Sequence, residues 1–408
     1  MQTNVTPDPT EQAYDELLEA QGEYIYTGEF FDPSLMPMIL SSALSLVGTL
    51  VGLTALETAI GRNLRQGFWG ILKRNSLVVA VGAFFYLLAG YDLMYHGDEP
   101  PFVNGTWWLL KFEELGSGGS ESYGYIGLSM TGWVDLTYQS LLVVDAALVF
   151  TAVLAQTTGL RMTLLAASIF CLVTYPVAGE LSWGGGLLNA RGFMDFAGAN
   201  QLYLLAGSAA LGWMLFQPRE TMPIQLRPDL RTERKICLGI AAICWGLPIP
   251  AGGMDGVLFS ALISVLVAVT GLVTGLLLAP RRIGWSILIA LVAGLAAGMG
   301  AEVPSVGLSI GAAAVAVLLD WLISRAGYRD PVGAVAAFGV GGLLGTLHAG
   351  FHPRSDDGGV AIQLLGSAIT VLWAGGTWAA LSICWRIFTK VRQLGEPPAT
   401  KEMTASDA

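Results

Sequence analysis

The chain has 408 residues, of which 53% are hydrophobic and only 13% charged, where an ordinary soluble domain has roughly a quarter. Mean hydropathy is +0.59. The net charge of −10 is segregated, since residues 1–36 hold eight acids and no Lys or Arg. So few charges cannot cover so much apolar surface in water, which excludes a disordered chain, a collagen-like repeat and a cytosolic enzyme.

Apolar runs of spanning length fall at 37–57, 77–96, 131–155, 163–182, 196–217, 236–252, 256–279, 284–301, 305–324, 332–350 and 359–384. Each is close to the ~20 residues a helix needs to cross the hydrocarbon. The expected fold is an all-α polytopic membrane protein of eleven transmembrane helices. With the N-terminus outside, 18 of the 21 basic residues fall on inward loops and the tail, and only Lys111, Arg191 and Arg354 fall outside. The predicted order is an acidic extracytoplasmic segment (1–36), a transmembrane domain (37–384) and a short cytoplasmic tail (385–408) in the cytoplasmic membrane. The N-terminus lacks the basic start and short apolar core of a signal peptide.

Ten of the eleven spans divide into two fives, and an odd number per half inverts the second half, leaving a final helix over. The inward loop 218–235 then links the halves. Glycine pairs four apart (Gly48/Gly52, Gly271/Gly275, Gly294/Gly298, Gly307/Gly311, Gly341/Gly345) allow close backbone approach, or reflect only the glycine richness of membrane helices. Pro248 and Pro250 break the sixth span. Cys171, Cys237, Cys244 and Cys384 sit singly in apolar runs and read as buried thiols. No basic patch with interleaved aromatics suggests nucleic acid, and no metal-ligand or nucleophile–base cluster suggests an enzyme or a cofactor.

From Glu180 the sequence runs E-L-S-W-G-G-G-L-L-N-A-R-G-F-M-D-F-A-G-A. Trp183 to Leu188 followed by Asp195 to Gly198 resembles the W-G-G-G-L-L and D-F-A-G signature of the Amt/Mep/Rh ammonium transporters. Weaker similarities lie at 90–97, from Tyr138–Gln139 to Ala155–Gln156, from Trp245 to Gly252, and at 338–345. The resemblance implies a homotrimer with one narrow pore per subunit. It also implies an outer vestibule that binds ammonium by cation–π contact, a gate of two phenylalanines, and two pore histidines.

Carried over residue by residue, Trp183 is the vestibule tryptophan and Asp195 the acid that supports the fifth helix, with Glu180 near the outer mouth. The gate phenylalanines fall on Leu142 and Ile249, the histidines on Tyr203 and Phe338, and the acid before the second histidine on Gly333. The vestibule serine falls on Gly253 and a second-helix serine on Asp92. The chain has only His96, His348 and His352. His348 lies ten residues past Phe338, ~15 Å along a helix, so the resemblance implies a pore without the twin-histidine relay.

Acids in or near spans are Asp92, Asp145, Glu180, Asp255, Glu302 and Asp320. Asp145 sits mid-span, one turn below Leu142, with Tyr138 further up the same helix. It is either a carboxyl buried against a neighbouring helix or a counter-charge that holds a cation when ionised and releases it when protonated. Tyr203 and Phe338 either plug the pore or offer ring faces to a cation. Asp320 reads as a structural partner of Arg325.

The reading is a channel or permease for ammonium, ammonia or a small methylated amine, not an enzyme, with no cofactor. The alternative is a non-conducting ligand sensor of the same fold. The tail lacks the acidic stretch that couples family members to a PII-type regulator.

Overall fold

In the computed structural model the described residues are 36–60, 67–95, 120–123, 128–195, 198–219, 253–278, 293, 306–328, 330–351 and 359–395. They form nine long helices. These are α1 (Met36–Ile60), α2 (Gly67–Met94), α3 (Gly132–Leu154), α4 (Leu160–Ser182), α5 (199–215), α6 (Gly253–Leu278), α7 (Val306–Arg325), α8 (Ala334–Ala349) and α9 (359–395). Five of them are long and apolar enough to cross a membrane, and α1, α6 and α8 contain shorter apolar stretches. Nine predicted spans coincide with these helices, while the sixth and eighth, with Pro248, Ile249 and Pro250, lie outside the described residues.

The helical class is as expected, accompanied among the described residues by a short hairpin in which β1 (Ser120–Tyr123) and β2 (Leu128–Thr131) pair antiparallel, Ser120 opposite Thr131, just before α3. One expectation needs correcting. The second span begins at Gly67, ten residues before the apolar run, because the charge of Arg74 is neutralised by Glu57 of α1. Gly307 and Gly311 are exposed, and among the described residues a methyl group at Gly311 would meet nothing, which fits the reading of that pair as glycine richness.

Burial sorts the helices. In α3 83% of the most apolar window is buried, against 33% in α7, so α3 is central and α7 peripheral. Its hydroxyls bond back into the helix, Ser140 to the Leu136 carbonyl (2.6 Å) and Thr151 to that of Ala147 (2.7 Å), which hides polar groups without partners from other helices. α3 packs on α1, α2 and α5; α5 packs on α8 and α9; α6 packs on α7. Phe150 of α3 stacks on Phe170 of α4 (5.3 Å) and meets Trp378 of α9 (4.2 Å) in the core. Val306, Ile310, Val315, Leu318 and Leu322 of α7 are exposed, as a lipid-facing stripe requires.

Five helices carry a wide π turn, at 86–90, 170–174, 199–204, 334–339 and 371–375. Such turns are over-represented at functional positions. The turn in α4 precedes Pro176, and its Thr174 carbonyl accepts Trp373 Nε1 from the wide turn of α9 (2.9 Å). The turns in α5 and α8 instead begin their helices.

Candidate functional site

The starts of α5 and α8 share one construction. Asp195 precedes Gly198 and Ala199 as Asp330 precedes Gly333 and Ala334. Both glycines adopt left-handed backbone (φ +75° and +69°), which a side chain would strain. This turns the chain so that each carboxylate accepts from backbone N–H groups of the first helical turn. Asn200 and Gln201 donate to Asp195 (3.1 and 2.8 Å), and Ala334, Val335 and Ala336 donate to Asp330 (2.7, 2.9 and 2.9 Å). The cap satisfies otherwise orphaned donors and places a negative group at the positive end of the helix. Burial pushes both carboxyls up, to about 6 in each case, against the opposing pull of those N–H groups. The acid of the α8 start is therefore Asp330, three residues earlier than the Gly333 position expected from the resemblance. The signal was present as Asp-x-x-Gly-Ala twice in the chain.

Eight residues after each acid stands an aromatic side chain, Tyr203 and Phe338. Their rings lie 5.8 Å apart, tilted by 38°, and both are buried. The two helices meet close by through backbone alone. A methyl group at Gly207 would come within 2.6 Å of Gly339 Cα.

Trp183 ends α4 and is half-buried, and its Nε1 donates to the Asp195 carbonyl (3.1 Å). The three glycines after it each answer a local demand. Gly184 lies against the Met94 carbonyl, Gly185 has φ +85°, and Gly186 lies against Glu180, whose carbonyl accepts the Gly186 N–H (2.9 Å). The Glu180 carboxylate rests on this turn. Trp183, Glu180 and Asp195 are thus brought together.

Leu142 and Tyr138 are buried on α3, and Asp145 is 6% exposed. Ser45 of α1 donates to Asp145 Oδ2 (2.9 Å), while Oδ1 has no hydrogen-bond partner. The Tyr203 hydroxyl is likewise buried without a partner. Asp255 begins in α6, but Glu302 and Ile249 lie outside the described residues. Asp320 is buried on α7, and the Arg325 guanidinium lies over the Trp321 ring (5.0 Å).

Sequence reasoning also missed two buried acids. Asp135 accepts from Tyr91 Oη (3.0 Å), and Glu57 pairs with Arg74 while accepting from Asn75 Nδ2 (3.1 Å). A polar chain runs from Gln201 to the Tyr175 carbonyl, from Tyr175 Oη to Gln139, and from Gln139 to Tyr95 Oη (2.8, 3.2 and 3.0 Å). Among the described residues no group of His, Cys, Asp and Glu could hold a metal ion.

The site is thus a bundle of apolar helices with two acid-capped helix starts, whose aromatic rings meet in the interior. The sequence profile of the Ammonium Transporter Family matches residues 37–393, and the chain belongs to that family. Among curated relatives it is 25% identical to a putative ammonium transporter of Methanothermobacter thermautotrophicus, covering 79% of this chain and 82% of that one. It is 24% identical to an ammonium transporter of Aquifex aeolicus, covering 82% and 80%. Its fold is similar to solved structures of a sensor Amt protein (TM-score 0.71, 19% identity, 88% and 94% covered) and of Candida albicans Mep2 (TM-score 0.72, 19% identity, 89% and 86% covered). It is a multi-pass membrane protein, and its family membership supports ammonium transport.

Proposed function

We propose that this chain is a channel or permease that moves ammonium, or a small methylated amine, across the cytoplasmic membrane. It works as a homotrimer with the N-terminus outside. The observation that carries this reading is the Tyr203–Phe338 contact, eight residues after each of two matching acid caps. The resemblance assigns those two positions to the pore histidines, so an aromatic pair stands in their place and passage proceeds without the twin-histidine relay. Trp183 offers its ring face to the cation at the outer mouth, and its bond to the Asp195 carbonyl fixes the ring's angle. Leu142 and Ile249 are smaller than two phenylalanines, which leaves room for added methyl groups.

Solid-supported-membrane recording on the reconstituted chain tests this. Currents evoked by ammonium and by methylamine are expected, with trimethylamine weaker. Saturable binding without current or uptake for any of the three would replace the permease with the sensor reading. Orientation is tested separately with the native cysteines removed. An impermeant thiol reagent added outside should label Ala20→Cys and spare Gln225→Cys, and the reverse pattern would overturn the N-out arrangement.

A further inference from the structure

Among the described residues, seven buried side-chain atoms lack a hydrogen-bond partner, and two of them stand out together: Asp145 Oδ1 and the Tyr203 hydroxyl. No hydrogen bond joins them, but the helices that carry them, α3 and the first turn of α5, pack against one another. Ser45 holds the other carboxylate oxygen, with Thr49 beside it, which fixes where Oδ1 points. Among the described residues Asp145 has no basic partner, whereas Glu57, also buried, has Arg74. A carboxylate at membrane depth without a counter-ion is costly, and a bound cation removes that cost.

We propose that Asp145 and Tyr203, with the Phe338 ring beside them, form a desolvated site for a small protonated amine, so that the substrate reaches the interior of the chain as a cation. The site rests on the permease reading and gives it a substrate class. Ammonium has four N–H donors and no lone pair, so it can donate to Asp145 Oδ1 and to the Tyr203 oxygen together. Methylammonium keeps three donors and can turn its methyl group toward the aromatic rings. Trimethylammonium has one donor and can reach only one of the two oxygens. Water or neutral ammonia would satisfy the hydrogen bonds but leave the carboxylate charge uncompensated.

The test is binding of radiolabelled methylammonium and trimethylammonium to the purified full chain, combined with currents on the same preparations. Asp145→Asn keeps the shape and removes the charge, and is expected to weaken methylammonium binding by about tenfold or more. Tyr203→Phe is expected to weaken methylammonium binding by about threefold while leaving trimethylammonium unchanged, because the single donor of the latter goes to Asp145. Should Asp145→Asn fail to fold, the Tyr203→Phe contrast between the two amines decides alone. Binding within twofold of the parent in both variants, alongside an intact ammonium current, would overturn this site and leave the permease reading standing. A parent chain that neither binds nor conducts any amine would overturn both. Amine uptake without current would overturn the site alone.

Discussion

α5 and α8 begin in the same way and differ in what they then present. Each has an aspartate, a left-handed glycine three residues later, a wide turn, and an aromatic ring at the eighth position. The rings are held alike and touch, but Tyr203 carries a buried hydroxyl without a partner and Phe338 has nothing polar to offer. Their glycines differ as well. A methyl group at Gly207 of α5 would press within 2.6 Å of Gly339 Cα, whereas one at Gly339 of α8 would find its nearest neighbour at 3.6 Å. The frame that positions two groups is therefore separable from the chemistry those groups perform. In this chain the frame is shared between the two helix starts, while the unpartnered polar group lies on the α5 side.

The largest expected effect comes from breaking what is shared. Asp330→Ala strips the acceptor from three backbone N–H groups in a buried place, at a cost of about 3 kcal/mol or more. The detergent melting temperature and the yield of folded protein should both fall, with Asp195→Ala behaving alike. A variant that melts like the parent would show that the caps do not hold the two rings. The next effect sharpens the asymmetry at the crossing. Gly207→Ala should destabilise by about 1–3 kcal/mol through overpacking. Gly339→Ala should be neutral or gain up to about 1 kcal/mol from helix propensity. Equal melting shifts in the two variants would refute this account of the α5–α8 contact.

Smaller still is the effect at the outer turn. Trp183→Ala should weaken amine binding by about threefold to tenfold while the chain still assembles, and Trp183→Phe should restore most of the loss. Unchanged affinity in Trp183→Ala would leave the tryptophan as packing and as the tie to the Asp195 carbonyl.

Much of this was legible in the sequence, and what was not shares a physical cause. Long apolar runs place helices well, because spanning the hydrocarbon leaves few alternatives. The W-G-G-G string could be read because each glycine meets a local constraint that no other residue satisfies. A hydropathy window, however, averages over residues one at a time and cannot see compensation between them. Arg74 and Asn75 read as the end of a loop, yet they are buried inside α2 because Glu57 of α1 supplies the countercharge and the acceptor. Asp330 stands beside Pro331 just before the predicted span 332–350, and its role emerges only from the backbone N–H groups it caps. The 5.8 Å approach of Tyr203 and Phe338 joins residues 135 positions apart, which no local pattern encodes. The signal that was available and unused was the recurrence of Asp-x-x-Gly-Ala.

The central claim is that amines cross this chain as cations, past an aromatic pair and a carboxylate. Simultaneous measurement of current and radiolabelled methylammonium uptake in proteoliposomes containing the parent chain tests it most directly. Charge and label should accumulate in equal amounts. Label accumulating with no accompanying charge would mean that the neutral amine is what passes, and would contradict the account.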